Sequence, residues 1–305
     1  MINRILIRTK ILQILFAFYQ NEDKGYAAAE KELFFSIEKA YDLYFLLLRL
    51  GVEITYLHEK RIDIAKNKFL PTEQELNPNL RLVNNRLIRG LASCSELQKR
   101  CENNGLNWSN QELLVRALLD EIVASDLYKE YLLSDDTFES DRAFWSKVYK
   151  QLIPKSDHLL ETLEEMSVYW NDDFDTIVSF AQKTIKKYDE KDPGEVLFPM
   201  FKSDEDFDFA KKLFRSAYLN GKEYRSLIET HIKNWDIDRL AYMDLLIIQI
   251  AIAELMNFPS IPATVTINEY IEIAKCYSTE RSGTFVNGIL DKVVNELRAE
   301  KKILK

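Results

Sequence analysis

The chain has 305 residues, of which 47% are hydrophobic and 30% charged, with a formal net charge of −8 and only 8 Gly and 7 Pro. This composition fits a globular protein with a sizeable core built from long helices, and it argues against a turn-rich β fold. No apolar run approaches the roughly 18 uncharged residues of a membrane span. Arg4, Arg8 and Lys10 interrupt the first apolar stretch and argue against a signal peptide.

Residues 3–21 predict a first helix, with Leu12, Leu15, Phe16 and Tyr19 on one face and Ile5, Ile11 and Phe18 widening it. Gly25 closes it. Residues 27–68 read as one very long or once-broken helix, with Tyr41, Tyr44, Phe45 and Leu48 in its stripe and Gly51 as a candidate bend. Pro71 and Pro78 bound the first strong loop, and residues 80–103 predict another helix with Cys94 and Cys101 on one face. Cys94, Cys101 and Cys276 cannot all pair, which fits reduced thiols in a cytoplasmic protein. His58, His158 and His231 show no metal-ligand spacing, so no metal is expected.

After the loop Asn103-Asn104-Gly105, Ser109 is the expected cap of a helix running to about Leu133. Asp135-Asp136 opens a short helix that Pro154 ends, and residues 156–169 and 173–188 predict two more. Lys183, Lys186 and Lys187 close the last of these, where cations complement the helix dipole. Asp189 to Pro199 reads as a linker. The expected organisation is therefore 1–70, an insertion at 71–199, and 200–305.

Beyond Asp204, Phe207, Ala210, Leu213, Phe214 and Ala217 form a stripe that Asn220-Gly221 stops. Tyr224, Leu227, Ile228 and Ile232 carry the next helix. The stretch Ile237–Met256, with Asp236 or Asp238 as its cap, is apolar almost all round, which places it at the centre of a bundle. Its polar interruptions are Asp244 and Gln249. In the stretch Pro262–Leu297, Thr266 and Glu269 have capping-box spacing, and Ile267, Tyr270, Ile271 and Ala274 make one stripe. The loop 278–283 leads into a last helix with Phe285, Ile289 and Val293 on one face. Gly288 inside it predicts close approach of a neighbour.

Three segments resemble the C-terminal signature of the NusB family: Val265–Glu269, Ile271–Lys275 and Phe285–Asp291. The resemblance reaches back to about Asp204 and reappears at residues 1–22. It implies an all-α bundle of NusB type enlarged by additional helices, with residues 1–22 packed against residues 204–297. It also implies a transcription antitermination factor. Such a factor binds a boxA-like single-stranded RNA together with the small-subunit ribosomal protein that doubles as NusE, and loads onto RNA polymerase.

Single-stranded RNA needs cations for phosphate and aromatics for stacking. Arg4, Arg8 and Lys10 supply cations at the start of the first helix, in a stretch without acids, although residues 101–200 hold 21 acids against 10 bases. Arg281 and Phe285 fall where the resemblance places an RNA surface. Asp238 and Asp244 match its partner surface; a helix cap and a buried polar group are the plainer explanations for them. The sequence contains no Gly-rich phosphate loop, HExxH, CxxC or nucleophile elbow, so neither an enzyme nor a cofactor is expected. The alternative is a helical protein-interaction scaffold that has lost RNA binding, in line with the sparse N-terminal cations.

Overall fold

The computed structural model describes residues 1–20, 25–190, 196–232 and 241–304. Among these residues the regular structure is all helical, α-helices plus one 3-10 turn at Ile153–Lys155, and the single extended pairing is a parallel bridge between Ile2 and Phe201. In chain order the helices begin with α1 (Arg4–Tyr19), the 41-residue α2 (Tyr26–Lys66), the short α3 (Glu73–Leu76), α4 (Arg86–Ser93) and α5 (Ser95–Asn104). Next come α6 (Glu112–Ala124), α7 (Asp126–Leu133), α8 (Phe138–Gln151), α9 (Asp157–Met166) and α10 (Phe174–Lys187). The last five are α11 (Asp204–Leu219), α12 (Gly221–His231), α13 (Tyr242–Asn257), α14 (Ala263–Tyr277) and α15 (Ser282–Ala299). The chain forms two compact units. One holds Met1 and Glu38–Met200, and the other holds Ile2–Ile37 and Phe201–Lys305.

In the unit of residues 38–200, α8 packs on α4, α7 and α10, and Trp108, Trp145 and Tyr149 are among its most buried side chains. The Tyr149 hydroxyl donates to the Leu47 carbonyl (2.6 Å) and accepts from the Gly51 N–H (3.2 Å), so it sits inside the hydrogen-bond ladder of α2. A Cβ at Gly51 would lie 3.2 Å from that oxygen and 3.0 Å from Ile88. Gly51 is thus a close-approach residue within a continuous helix. Tyr149→Phe removes the inserted hydroxyl, and a loss of about 1–3 kcal/mol is expected in urea titration.

Several boundaries differ from those the sequence predicts. The segment 80–103 divides at Cys94 into α4 and α5, because Asn85 caps the first (its Oδ1 accepts from Ile88 N) and a new helix starts at Ser95. Cys101 is buried while Cys94, at the break, is half-buried. The segment capped in expectation by Ser109 begins only at Glu112. It divides at Ser125, whose hydroxyl caps α7 by accepting from Tyr128 N. Thr137, not Asp135 or Asp136, caps α8.

The other unit is organised by α13, which packs on α1, α11, α12, α14 and α15. Its residues Leu246 to Leu255 are all buried, as its all-round apolar pattern requires. Of the residues 1–22 expected on the C-terminal helices, α1 packs on α11 and α13, and residues 21–22 lie outside the described residues. Gly288 is a correction: it is exposed, and a Cβ there would meet nothing within 4 Å. The capping box at Thr266 is another. Pro262, whose fixed φ suits the residue before a helix, is the cap, so Thr266 lies one turn inside α14.

Candidate nucleic-acid interface

Three buried polar side chains interrupt the apolar surface of α13, five residues apart, and each binds different neighbours. Asp244 accepts from the Ser282 hydroxyl (2.9 Å) at the start of α15. Gln249 donates to the Ala217 carbonyl of α11 (2.8 Å) and to the Tyr19 hydroxyl of α1 (3.1 Å), and accepts from Arg225 Nε (2.9 Å) of α12. Glu254, with no exposed surface, holds Arg8 of α1 in two parallel 2.8 Å bonds. The same carboxylate accepts from the Thr266 hydroxyl (2.9 Å) and the Tyr270 hydroxyl (3.0 Å) of α14.

Arg8 also donates to Glu269 (3.1 Å). Burial pulls its pKa down, but the hydrogen bond to Glu254 and the charges of Glu254 and Glu269 outweigh this, and the net shift is upward. Tyr270 is raised well above its ordinary value by burial first and the Glu254 charge second. Arg8 is therefore a permanent cation, neutralised inside the bundle. Desolvation offsets much of the Coulomb gain of such a pair, while losing either partner leaves a buried charge uncompensated.

The sequence placed Arg4, Arg8 and Lys10 together as a surface cation cluster, and the structure corrects two of the three. Arg8 and Lys10 are 3% and 1% exposed. The two point to different sides of α1, and both are enclosed because α1 is covered nearly all round: ten of its sixteen residues are buried. Arg4 keeps 37% of its side chain exposed. It pairs with Asp206 (3.1 Å) and lies 5.0 Å over the Phe209 ring.

The turn between α14 and α15 is the second cluster. Arg281 is exposed at the N-cap of α15 and makes no side-chain cap bond, and the first turn of α15 contains no acid. Phe285 is half-buried one turn later, its N–H bonded to the Arg281 carbonyl (3.2 Å). Ser282 fixes the turn: it accepts from Thr279 N (3.1 Å) while its hydroxyl reaches Asp244. Asp244 was expected on a partner surface. It is instead 5% exposed and acts as the anchor of this turn. Asp238 lies outside the described residues. Asp244 and Glu254 are ten residues apart on α13, so the Arg281 turn and the Arg8 pair are separated by about 15 Å of helix rise.

Sequence reasoning missed Glu254. The available signal was α13 itself: a carboxylate on a helix with no polar face has no route to solvent and must have a cationic partner.

Against known proteins, the NusB family model matches residues 174–295. The transcription antitermination protein NusB of Salinibacter ruber is 43% identical over 98 residues, 32% of this chain and 61% of that protein. That of Listeria monocytogenes serotype 4a is 39% identical over 93 residues, 30% of this chain and 73% of the relative. The chain belongs to the NusB family. A solved structure of T. maritima NusB is 34% identical and covers 40% of this chain and 87% of that one, with a TM-score of 0.31. The chain spans 61%, 44% and 64% of the Salinibacter, Chloroherpeton and Koribacter NusB proteins. The NusB match starts with α10, thirty residues before the Asp204 at which the sequence motifs begin, and it leaves α1 to α9 outside.

Proposed function

We infer that this protein is a transcription antitermination factor of the cytoplasm that binds a boxA-like single-stranded RNA together with the ribosomal protein NusE. It acts by assembly, and the shared RNA complex then joins RNA polymerase. The observation that carries this reading is the 39% identity extending over 73% of the Listeria antitermination protein. Arg281 and Phe285 are the side chains best suited to RNA. A guanidinium binds phosphate in two parallel bonds or stacks on a base, and a half-exposed ring adds a stacking face. Arg4 extends the cationic edge, with Asp206 as its competitor for phosphate. Arg8 and Asp244 support the surface from below, Arg8 by holding α1 and Asp244 by holding the Arg281 turn. Asp238 remains a proposed contact for the partner protein. Binding and positioning are the proposed roles, not catalysis. No helix among the described residues is long and apolar enough to cross a membrane.

The burial of Arg8 and Lys10 and the pairing of Arg4 favour one rival, a protein-interaction scaffold without RNA affinity. Titration of a labelled boxA-like RNA with the intact chain, alone and with the ribosomal protein NusE, separates the two. The antitermination reading expects binding by the chain alone and tighter binding with both proteins. The scaffold reading expects NusE binding with no RNA in the complex. Arg4→Ala should lower the salt slope of RNA binding by about 0.7, the value of one single-strand phosphate contact.

A further inference from the structure

The outer face of α10, in the unit of residues 38–200, carries a basic aromatic patch. Residues 101–200 hold 21 acids against 10 bases, yet three of those bases, Lys183, Lys186 and Lys187, fall within five residues. All three are exposed, and among the described residues none is paired with a carboxylate. Lys186 and Lys187 complement the helix dipole in the last turn, but Lys183 lies a turn before Lys187. The Lys183 ammonium lies 4.7 Å from the centroid of the Phe180 ring, and that of Lys187 lies 5.4 Å from the centroid of the Phe198 ring. The two rings meet edge to face, 5.6 Å apart, and both are half-buried. They are held from beneath. The Phe198 N–H donates to the Tyr44 hydroxyl (3.1 Å), which lies 2.6 Å from the Thr184 hydroxyl, and Thr184 donates to the Phe180 carbonyl (3.1 Å). Tyr44 and Thr184 are fully buried, so this chain fixes both backbone positions that carry the rings.

We propose that this patch is a sequence-tolerant contact for single-stranded RNA, in addition to the Arg281 turn. It rests on the reading that the protein binds RNA. A single strand needs ammonium groups for its phosphates and ring faces for its bases. Both occur here, on one helix and the residue docked against it. Contacts between an exposed ammonium and a ring are weak. A phosphate therefore draws the lysine away, and the ring face beneath it opens to a base. An acidic protein helix would also satisfy the lysines, but it needs aliphatic anchors to seat its apolar face. Among the described residues, no large aliphatic side chain between Val168 and Phe207 is strongly exposed. Unpaired cations with rings between them, and no aliphatic surface, favour the nucleic acid.

The test uses the full chain and a labelled oligouridylate of about 12 nucleotides, followed by fluorescence anisotropy across a salt series. The parent should bind it saturably. Lys183→Gln with Lys186→Gln and Lys187→Gln should make log K against log salt shallower by about 2, at about 0.7 for each of three phosphates, without lowering Tm. Phe180→Leu with Phe198→Leu should weaken binding roughly tenfold at an unchanged slope. Should the leucine variant fail to fold, the lysine variant decides alone. Four results would overturn the proposal. The parent does not bind at low salt, or the lysine variant gives the parent's line. A folded leucine variant binds as tightly as the parent. A polyglutamate peptide displaces the RNA as well as unlabelled oligouridylate does, making an acidic protein the occupant. Arg281→Glu, measured on a boxA-like strand beside the lysine variant, keeps this failure apart from that of the antitermination reading. If the α10 contact alone fails, only Arg281→Glu gives a shallower line; if the Arg281 site alone fails, only the lysine variant does.

Discussion

Glu254→Ala should destabilise the unit of residues 2–37 and 201–305 by about 3–5 kcal/mol, the cost of stranding one charge of a buried pair. The reasoning is local. Glu254 has no exposed surface, and its removal leaves the Arg8 guanidinium, the Thr266 hydroxyl and the Tyr270 hydroxyl without their common acceptor. Arg8→Ala should cost a similar amount, because it leaves Glu254 charged in the same site. The double variant Arg8→Met with Glu254→Leu should cost less than the sum of the two single changes, since no net charge is then buried. Denaturant titration of all three chains gives the coupling. The series also decides what Arg8 does. A phosphate-binding Arg8 would lower the salt slope of RNA binding on substitution and leave stability unchanged; a structural Arg8 does the opposite.

The second large effect is expected at Arg281. Arg281→Glu should abolish most RNA affinity at low salt and lower the salt slope by at least about 0.7, because a repulsion replaces an attraction at one phosphate. Melting temperature should hardly change. The side chain is exposed and makes no cap bond, and the turn is fixed by Ser282 and Asp244. Arg281→Lys should keep the phosphate attraction and lose any stacking on a base. Phe285→Ala at unchanged fold should then remove roughly 1–3 kcal/mol of stacking if a base rests on its ring.

Much of this architecture was legible in the sequence, for reasons that can be traced to particular residues. The segment from Leu246 to Leu255 has no polar face, so it could only be a central helix. The apolar stripe of α1 and those of α11 to α15 each lacked a partner within their own segment, and the shared motifs at both chain ends joined them. Helix boundaries were less legible, because they depend on which of several capping side chains engages. Ser125 and Thr137 do, and Ser109 does not.

The site was only half legible. Arg4 and Arg8 share one side of α1 and Lys10 faces elsewhere, so the helical phase alone made all three candidates for a surface edge. What it could not show is that α1 is covered nearly all round beyond its first turn, which buries Arg8 and Lys10 and leaves Arg4 half-exposed. Thr266 and Glu269 matched a capping box by spacing, yet both belong to the Arg8–Glu254 network. Glu254, which joins Arg8, Thr266 and Tyr270, is far from Arg8 in sequence, and its signal was only its place on a helix without a polar face.

RNA binding at the Arg281 turn is the central claim, and the salt dependence of that binding tests it most directly. The measurement is the affinity of the intact chain for a boxA-like single strand across a series of salt concentrations. The account predicts saturable binding with log K falling linearly in log salt by about 0.7 for each phosphate held, and a shallower line for Arg281→Glu. No binding at low salt, or the same line for parent and variant, would contradict it.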